Sequence, residues 1–179
     1  MAVVSEKKFI IEYFLRSAVG DDAKKIIEYL KKILMESTNL LTTLEEFSLT
    51  PEKEREVINQ HREHPDFLFL VLWYQQSIVG VIDFSTKKQK RISHGGDFGI
   101  SIARAHWRKG LGNFLMQELI DWATQNPKIE KIMLSAHATN QPALNLYKKF
   151  GFQVEGRRQK DIKMEDGSYV DTILMTKFL

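Results

Sequence analysis

Residues 106–115 read HWRKGLGNFL, and the two glycines there restrict the fold more than any other stretch of the chain. Upstream, Asp97 to Ile102 is β-rich. Downstream, Leu111, Leu115, Leu119 and Trp122 recur at helical spacing as far as Thr124. Glycine costs about 1 kcal/mol relative to alanine inside a helix, so Gly110 and Gly112, beside Arg108 and Lys109, need a reason. Either the backbone turns tightly between strand and helix, or something comes very close to it. A strand, a glycine-bearing turn and a helix make an arrangement that grips phosphate, because unpaired amides and the positive end of the helix dipole point at the anion. Glycine leaves those amides uncovered. A tight turn with exposed basic residues fits the same letters. The stretch is not a P-loop, and it is not a GxGxxG fingerprint, since Asn113, Phe114 and Leu115 follow the second glycine.

The chain around this turn reads as one domain over residues 1–179, with no repeat, linker or low-complexity segment. No apolar run approaches the roughly 20 residues that span a bilayer. The N-terminus, MAVVSEKKFI, has no leader pattern. Cysteine is absent, which excludes disulfides, thiolate metal ligands and a cysteinyl acyl intermediate and suits a reducing, cytoplasmic setting. The net charge of +3 favours an anionic ligand. The basic residues are interspersed with acidic ones, so it gives no argument for nucleic acid.

Phe9 to Leu15 is apolar enough for a strand. Asp21 and Asp22 offer a cap for a helix over Ala23 to Leu34, and Glu36 to Ser48 reads as a loop or short helix. Thr50-Pro51 opens a charged helix to about His64. Phe67 to Trp73 and Ile78 to Phe84 predict a hairpin around Gln75-Gln76, and Lys131 to Ala136 a short buried strand. Asn140 caps a helix whose Ala143, Leu146, Tyr147 and Phe150 form one stripe, and Gly151 ends it. Two last strands, about Phe152 to Lys163 and Ser168 to Phe178, flank an Asp166-Gly167 turn.

"WRKGLG" after a strand, followed about 30 residues later by "NQPALNLYKKFGF", resembles the GCN5-related N-acetyltransferases. Their usual signature is Gln or Arg, two residues, Gly, any residue, then Gly or Ala, with a later Asn…LY…GF. Trp107 stands here where Gln or Arg is commonest, a departure also met in the ribosomal-protein acetylating branch. The resemblance is motif-specific from about Asp97 to Phe152. It implies an α/β (α+β) fold with a mixed, mostly antiparallel sheet of about seven strands, splayed at the cofactor site and flanked by about four helices.

The resemblance implies acetyl-coenzyme A as donor. The diphosphate would sit on Trp107, Arg108, Lys109, Gly110, Leu111, Gly112 and Asn113. The pantetheine arm would run along Ile100, Ser101 and Ile102, with an amide near Ile102 polarising the thioester carbonyl. Asn140 would bond the arm as well as cap its helix, and Asn145 and Lys149 would face the cofactor's far end. Tyr147 stands at the family's acid position, where a phenol protonates the departing thiolate. An aromatic on an apolar stripe also reads as plain core.

The base is less defined. Asp97 at the start of the cofactor strand is the first candidate, with Asp83 at the end of its neighbour and Glu45 and Glu46 in the loop bordering the acceptor as alternatives; each also reads as a surface or capping carboxylate, and together they would form an acidic mouth that favours a cationic amine. His94 is a weaker choice and His137 reads as structural. The five histidines show no metal-binding spacing. The expectation is acetyl transfer from acetyl-coenzyme A to a primary amine, small molecule or peptide, by direct attack in a ternary complex. The alternatives are a coenzyme A-binding sensor or scaffold, and a nucleic-acid module using Lys87 to Arg91 with Arg157, Arg158 and Lys160. The second lacks interleaved aromatics. No membrane partner is expected, and the C-terminal hairpin ending at Phe178 and Leu179 offers an edge for a homodimer.

Overall fold

The computed structural model describes residues 7–10 and 12–179. In chain order it contains β1 (Lys7–Ile10), β2 (Tyr13–Ser17), α1 (Ala23–Glu36), α2 (Pro51–Glu63), β3 (Phe67–Tyr74), β4 (Ser77–Thr86) and β5 (Gly95–Ile102). These are followed by α3 (Leu111–Thr124), β6 (Lys131–His137), α4 (Gln141–Lys149), β7 (Gln153–Lys163) and β8 (Tyr169–Phe178). Short 3-10 turns cover Gly20–Asp22 and Arg104–His106. The chain divides into two compact units, residues 1–85 with 99–120, and residues 86–98 with 121–179.

In the first unit the order is β1, β2, β3, β4, joined by antiparallel ladders. Leu68 to Trp73 of β3 are all buried, the pattern of a strand covered on both faces. Ala23, Ile26, Tyr29 and Ile33 of α1 pack with Ile58 of α2 on Phe69, Val71 and Trp73. The α2 helix starts where Thr50 Oγ1 accepts the Lys53 amide and Pro51 fills the first turn. Its sequence is so polar that only Glu54 and Ile58 are buried. Ile58 is therefore the main apolar anchor of this helix.

In the second unit β5 pairs in parallel with β6 through Gly95–Lys131, Gly96–Ile132 and Asp97–Met133, and the ladder stops there. Strand β6 pairs antiparallel with β8, and β8 with β7. Gly167, at φ +83, makes the turn between β7 and β8. The sheet is thus mixed and mostly antiparallel, with four α-helices among the described residues, as expected.

Several boundaries differ from the sequence reading. The strand expected over Phe9 to Leu15 is two antiparallel strands, which brings the sheet to eight strands among the described residues. Phe9 to Leu15 is apolar apart from Glu12, so composition does not mark the break. Ile11 lies outside the described residues, as do Met1 to Glu6, on which the reading of the N-terminus rested. Asp22 does not cap α1 through its side chain. Its carboxylate accepts the Val19 amide at 2.9 Å and two Arg16 bonds at 2.6 and 2.8 Å. Strand β5 begins two residues early, at Gly95. On α4 the buried pair is Leu144 and Tyr147.

Ile58→Ala is expected to lower unfolding free energy by about 2–4 kcal/mol, through lost burial and an unfilled cavity. Met35→Ala, at a position 67% exposed, should stay within about 0.5 kcal/mol of the parent. Denaturant midpoints of the two variants check this.

Candidate functional site

The end of β5 and the start of α3 lie together in the first unit. Trp107 Nε1 donates to the Ile102 carbonyl at 2.7 Å, pinning the turn to the strand. The Arg104 guanidinium stands 5.6 Å from the Trp107 ring, and the Arg104 amide donates to Glu36 Oε2 at 2.8 Å. The turn then passes through left-handed backbone twice, at Arg108 (φ 61) and Gly110 (φ 80). Glycine enters that region without penalty, whereas Arg108 carries strain of roughly 1 kcal/mol. The first helical bond of α3 runs from the Phe114 amide to the Gly110 carbonyl at 3.1 Å. The amides of Leu111 and Gly112 therefore stand at the positive end of the helix with no carbonyl a turn earlier to accept them. Leu111 is buried and anchors that turn, while Trp107, Arg108, Lys109 and Gly110 are exposed and Gly112 and Asn113 partly so.

Lys109 does not simply extend into solvent. Its Nζ donates to the Tyr13 hydroxyl at 3.2 Å, and Tyr13 Oη lies 2.8 Å from His106 Nδ1. Burial, followed by the positive charges of Lys109 and Lys32, lowers the His106 pKa. A neutral His106 accepts the Tyr13 proton while Tyr13 accepts from Lys109, so the donor order is consistent. On β5, Ile100, Ser101 and Ile102 are partly buried, and Ser101 Oγ lies 2.9 Å from the buried Tyr29 hydroxyl.

Two carboxyl groups in this unit are perturbed. Asp83 of β4 is pushed up to about 6 by burial. Its Oδ1 lies 2.9 Å from where a Cβ at Gly99 would stand, a distance no real side chain tolerates. Glu54 of α2 is 3% exposed. Burial, then the like charge of Asp83, push it up to about 7. Nearby on the same helix, His61 bonds the Val57 carbonyl and Ser85 Oγ at 2.9 and 3.0 Å, and burial lowers its pKa. The sequence reading missed Glu54. Its signal was spacing: it precedes Ile58 by four and His61 by seven, which puts all three on one helix face. Glu45 and Glu46 are exposed, and Glu46 accepts the Thr43 amide and hydroxyl at 2.9 and 3.0 Å.

The remaining sequence candidates belong to the second unit. Asn140 Oδ1 accepts the Ala143 amide at 3.3 Å as the expected cap. Tyr147 is 8% exposed against Phe98 and Phe152, with ring centroids 5.7 and 6.1 Å away. No group among the described residues bonds its hydroxyl, and burial alone pushes the phenol up to about 12. Asn145 and Lys149 are exposed on α4. Asp97 is ion-paired with Lys87. His94 is exposed, and His137 is buried with its Nε2 unbonded among the described residues. Among the described residues no group of three or more His, Asp or Glu is placed to hold a metal, and no helix is long and apolar enough to cross a membrane.

Residues 27–152 match the profile described as "Acetyltransferase (GNAT) family". The L-amino acid N-acetyltransferase AaaT of Escherichia coli K12 is 30% identical over 115 residues, spanning 64% of this chain and 70% of that protein. The crystal structure of a GNAT acetyltransferase from Streptococcus pneumoniae superposes with a TM-score of 0.91 at 28% identity, over 94% of this chain and 100% of that one. The yncA protein of Salmonella typhimurium, solved with its cofactor acetyl-CoA, shares the fold at 17% identity and a TM-score of 0.81, over 94% of each chain.

The Glu54 environment has a measurable consequence for stability. A carboxyl raised from 4.5 to about 7 on folding costs nothing below the unfolded value, and its full cost is reached above the folded one. Between pH 4 and pH 8 the stability of Glu54→Gln relative to the parent should therefore rise by on the order of 2 kcal/mol. Thermal or urea unfolding at both pH values tests the sign.

Proposed function

Since the chain belongs to the GNAT acetyltransferase family, N-acetyltransferases that draw on acetyl-coenzyme A, we propose that it passes the acetyl group to a primary amine by direct attack in a ternary complex. The two units would work as one acetyltransferase domain, since the matched span, residues 27–152, includes segments of both. The observation that carries the donor assignment is the turn at Gly110, whose positive φ lets α3 begin with the Leu111 and Gly112 amides uncovered. In this reading the diphosphate rests on residues 107–113, and the glycines give the anion close approach. Arg108 supplies charge at the rim. Lys109, held by Tyr13, contributes at longer range.

The pantetheine arm would pair with the edge of β5 at Ile100, Ser101 and Ile102. Asn140 would bond the arm, and Asn145 and Lys149 would lie toward the nucleotide end. The amine nitrogen attacks the thioester carbon and the C–N bond forms; the nitrogen gives up its proton to a carboxylate, directly or through water, with Asp97 the base expected from the sequence, and the intermediate collapses by breaking the C–S bond. Tyr147 gives its proton to the departing sulfur. A phenol pushed up to about 12 stays protonated across the working range, so it is always loaded as an acid and adds no limb to the pH profile. Its otherwise unbonded hydroxyl supports that role over plain packing.

The acceptor is a small-molecule or peptide amine. The activity named for AaaT puts L-amino acids first in a library that also holds polyamines, aminoglycosides and peptide N-termini. Release of free thiol from acetyl-coenzyme A with at least one of these supports the proposal. Tight donor binding with no turnover across the library would mark a coenzyme A sensor instead.

Tyr147→Phe should cut turnover at least about tenfold while calorimetric donor affinity stays put. Unchanged turnover would remove Tyr147 from the chemistry. Gly110→Val places a branched side chain at φ 80 and at the anion's approach, and should weaken donor binding about tenfold or more. Retained affinity would count against the cradle.

A further inference from the structure

Three aromatic rings that the acetyl-transfer mechanism does not use meet beside the turn at Gly110. Tyr13 of β2 and Tyr74 of β3 have ring centroids 4.9 Å apart, and His106 packs on them at 5.7 and 5.1 Å. Tyr13 is 4% exposed, yet its hydroxyl is shared between two groups of the segment that leads into α3. His106 Nδ1 lies 2.8 Å from it. Lys109 Nζ lies 3.2 Å from it and 5.9 Å from the Tyr13 ring centroid. Lys109 stands between Arg108 and Gly110, both in left-handed backbone. Its main chain is thus part of the turn while its ammonium is drawn back to β2.

A phenol oxygen has one proton to give and two lone pairs to receive. An ammonium only donates, so Lys109 takes one lone pair, and the Tyr13 proton goes to His106 Nδ1 while the imidazole is neutral. A charged imidazole donates from both nitrogens and cannot take that proton. It also sets a second cation against the oxygen that holds Lys109. A proton on His106 and the ammonium on Tyr13 therefore compete, and the charge of Lys109 is, after burial, a cause of the lowered His106 pKa. The other charged groups around the cluster have partners of their own. Lys32 and Glu36 of α1 act on His106 with opposite sign and are paired at 3.8 Å, and Glu36 also takes the Arg104 amide. Arg104 stacks on Trp107, and Glu12 acts on Tyr74. Lys109 is the charged side chain that joins the ring cluster to the turn.

We propose that Tyr13 and His106 are positioning residues for the donor: they form a dock that holds the Lys109 ammonium off the turn, and a proton on His106 releases it toward the donor's phosphates. This rests on the donor reading and deepens it. His106 Nδ1 takes its proton from solvent, Tyr13 keeps its own, and Lys109 stays charged throughout. On release the ammonium leaves a neutral hydroxyl for phosphate oxygens, a stronger, charge-assisted contact. Linkage makes the effect reciprocal. A bound diphosphate that draws Lys109 away removes a cation that acts on His106, so His106 gains its proton more readily in the complex. Donor binding is then tighter on the acid side of the His106 titration. On the alkaline side the dock is closed, and binding relies on the turn amides and Arg108.

The experiment measures calorimetric acetyl-coenzyme A affinity at about pH 5.5 and about pH 8, on either side of the usual imidazole range, in the full chain and its variants. The donor's own phosphomonoester titrates near pH 6 and does so alike against every protein, so the acid-to-alkaline affinity ratio is compared between proteins. That ratio should be about fivefold higher in the parent than in His106→Asn, whose amide oxygen stands in for Nδ1 and keeps the dock shut. Tyr13→Phe keeps the ring and removes the dock. It should bind the donor about fivefold more tightly than the parent at the alkaline pH and lose the parent's pH response. In the parent, nitrogen-15 shifts of the His106 ring should show Nδ1 unprotonated when free, and a titration moved to higher pH by acetyl-coenzyme A. This readout needs no variant to fold. A Tyr13→Phe that binds no more tightly than the parent at the alkaline pH, or a His106 titration that the donor leaves unmoved, overturns the proposal and leaves the donor reading standing. A parent that binds no acetyl-coenzyme A overturns both.

Discussion

The hydrogen bond from Trp107 to the Ile102 carbonyl is the interaction on which the geometry of the first unit depends. A strand that ends in solvent has carbonyls to satisfy, and a turn that passes twice through left-handed backbone needs an anchor. One indole solves both problems. It closes off the end of β5 and holds Arg108 and Gly110 in the conformations that start α3 immediately afterwards. The residue that departs from the family's usual signature is thus the one that fastens the turn. Because the diphosphate contacts proposed for that turn would come from backbone amides, a change of side chain at this position would leave their supply intact.

The same half of β5 organises the polar groups around it. Ser101 meets Tyr29 from α1, Gly99 makes room for Asp83 from β4, and the Arg104 amide beyond the strand takes Glu36. Small residues alternate along the strand at 99 and 101, and each admits a polar group that a larger side chain would exclude. The cost appears in Asp83 and Glu54, both pushed far above ordinary carboxyl values. Perturbed carboxyl groups of this kind cluster at functional sites.

Much of this was legible in the sequence because it rests on local rules. The Thr50-Pro51 and Asn140 caps, the Asp166-Gly167 turn and the strand, turn and helix at residues 97–124 are each specified within a few residues, and each was found in place. What escaped has non-local causes. The break between β1 and β2 lies inside a run that is apolar apart from Glu12. The burial of Glu54 depends on what packs over α2, which a charged helix does not announce. The ion pair of Asp97 was not legible either, because its Lys87 partner lies ten residues away across a loop. The role of Gly99 is set by a side chain on a different strand.

Backbone amides that grip the diphosphate should report it directly. In a nitrogen-15 labelled sample titrated with acetyl-coenzyme A, the largest amide shifts are predicted for residues 108–113, with saturation at one equivalent. Saturable binding that leaves those amides unmoved, with the main shifts elsewhere in the chain, would contradict the account.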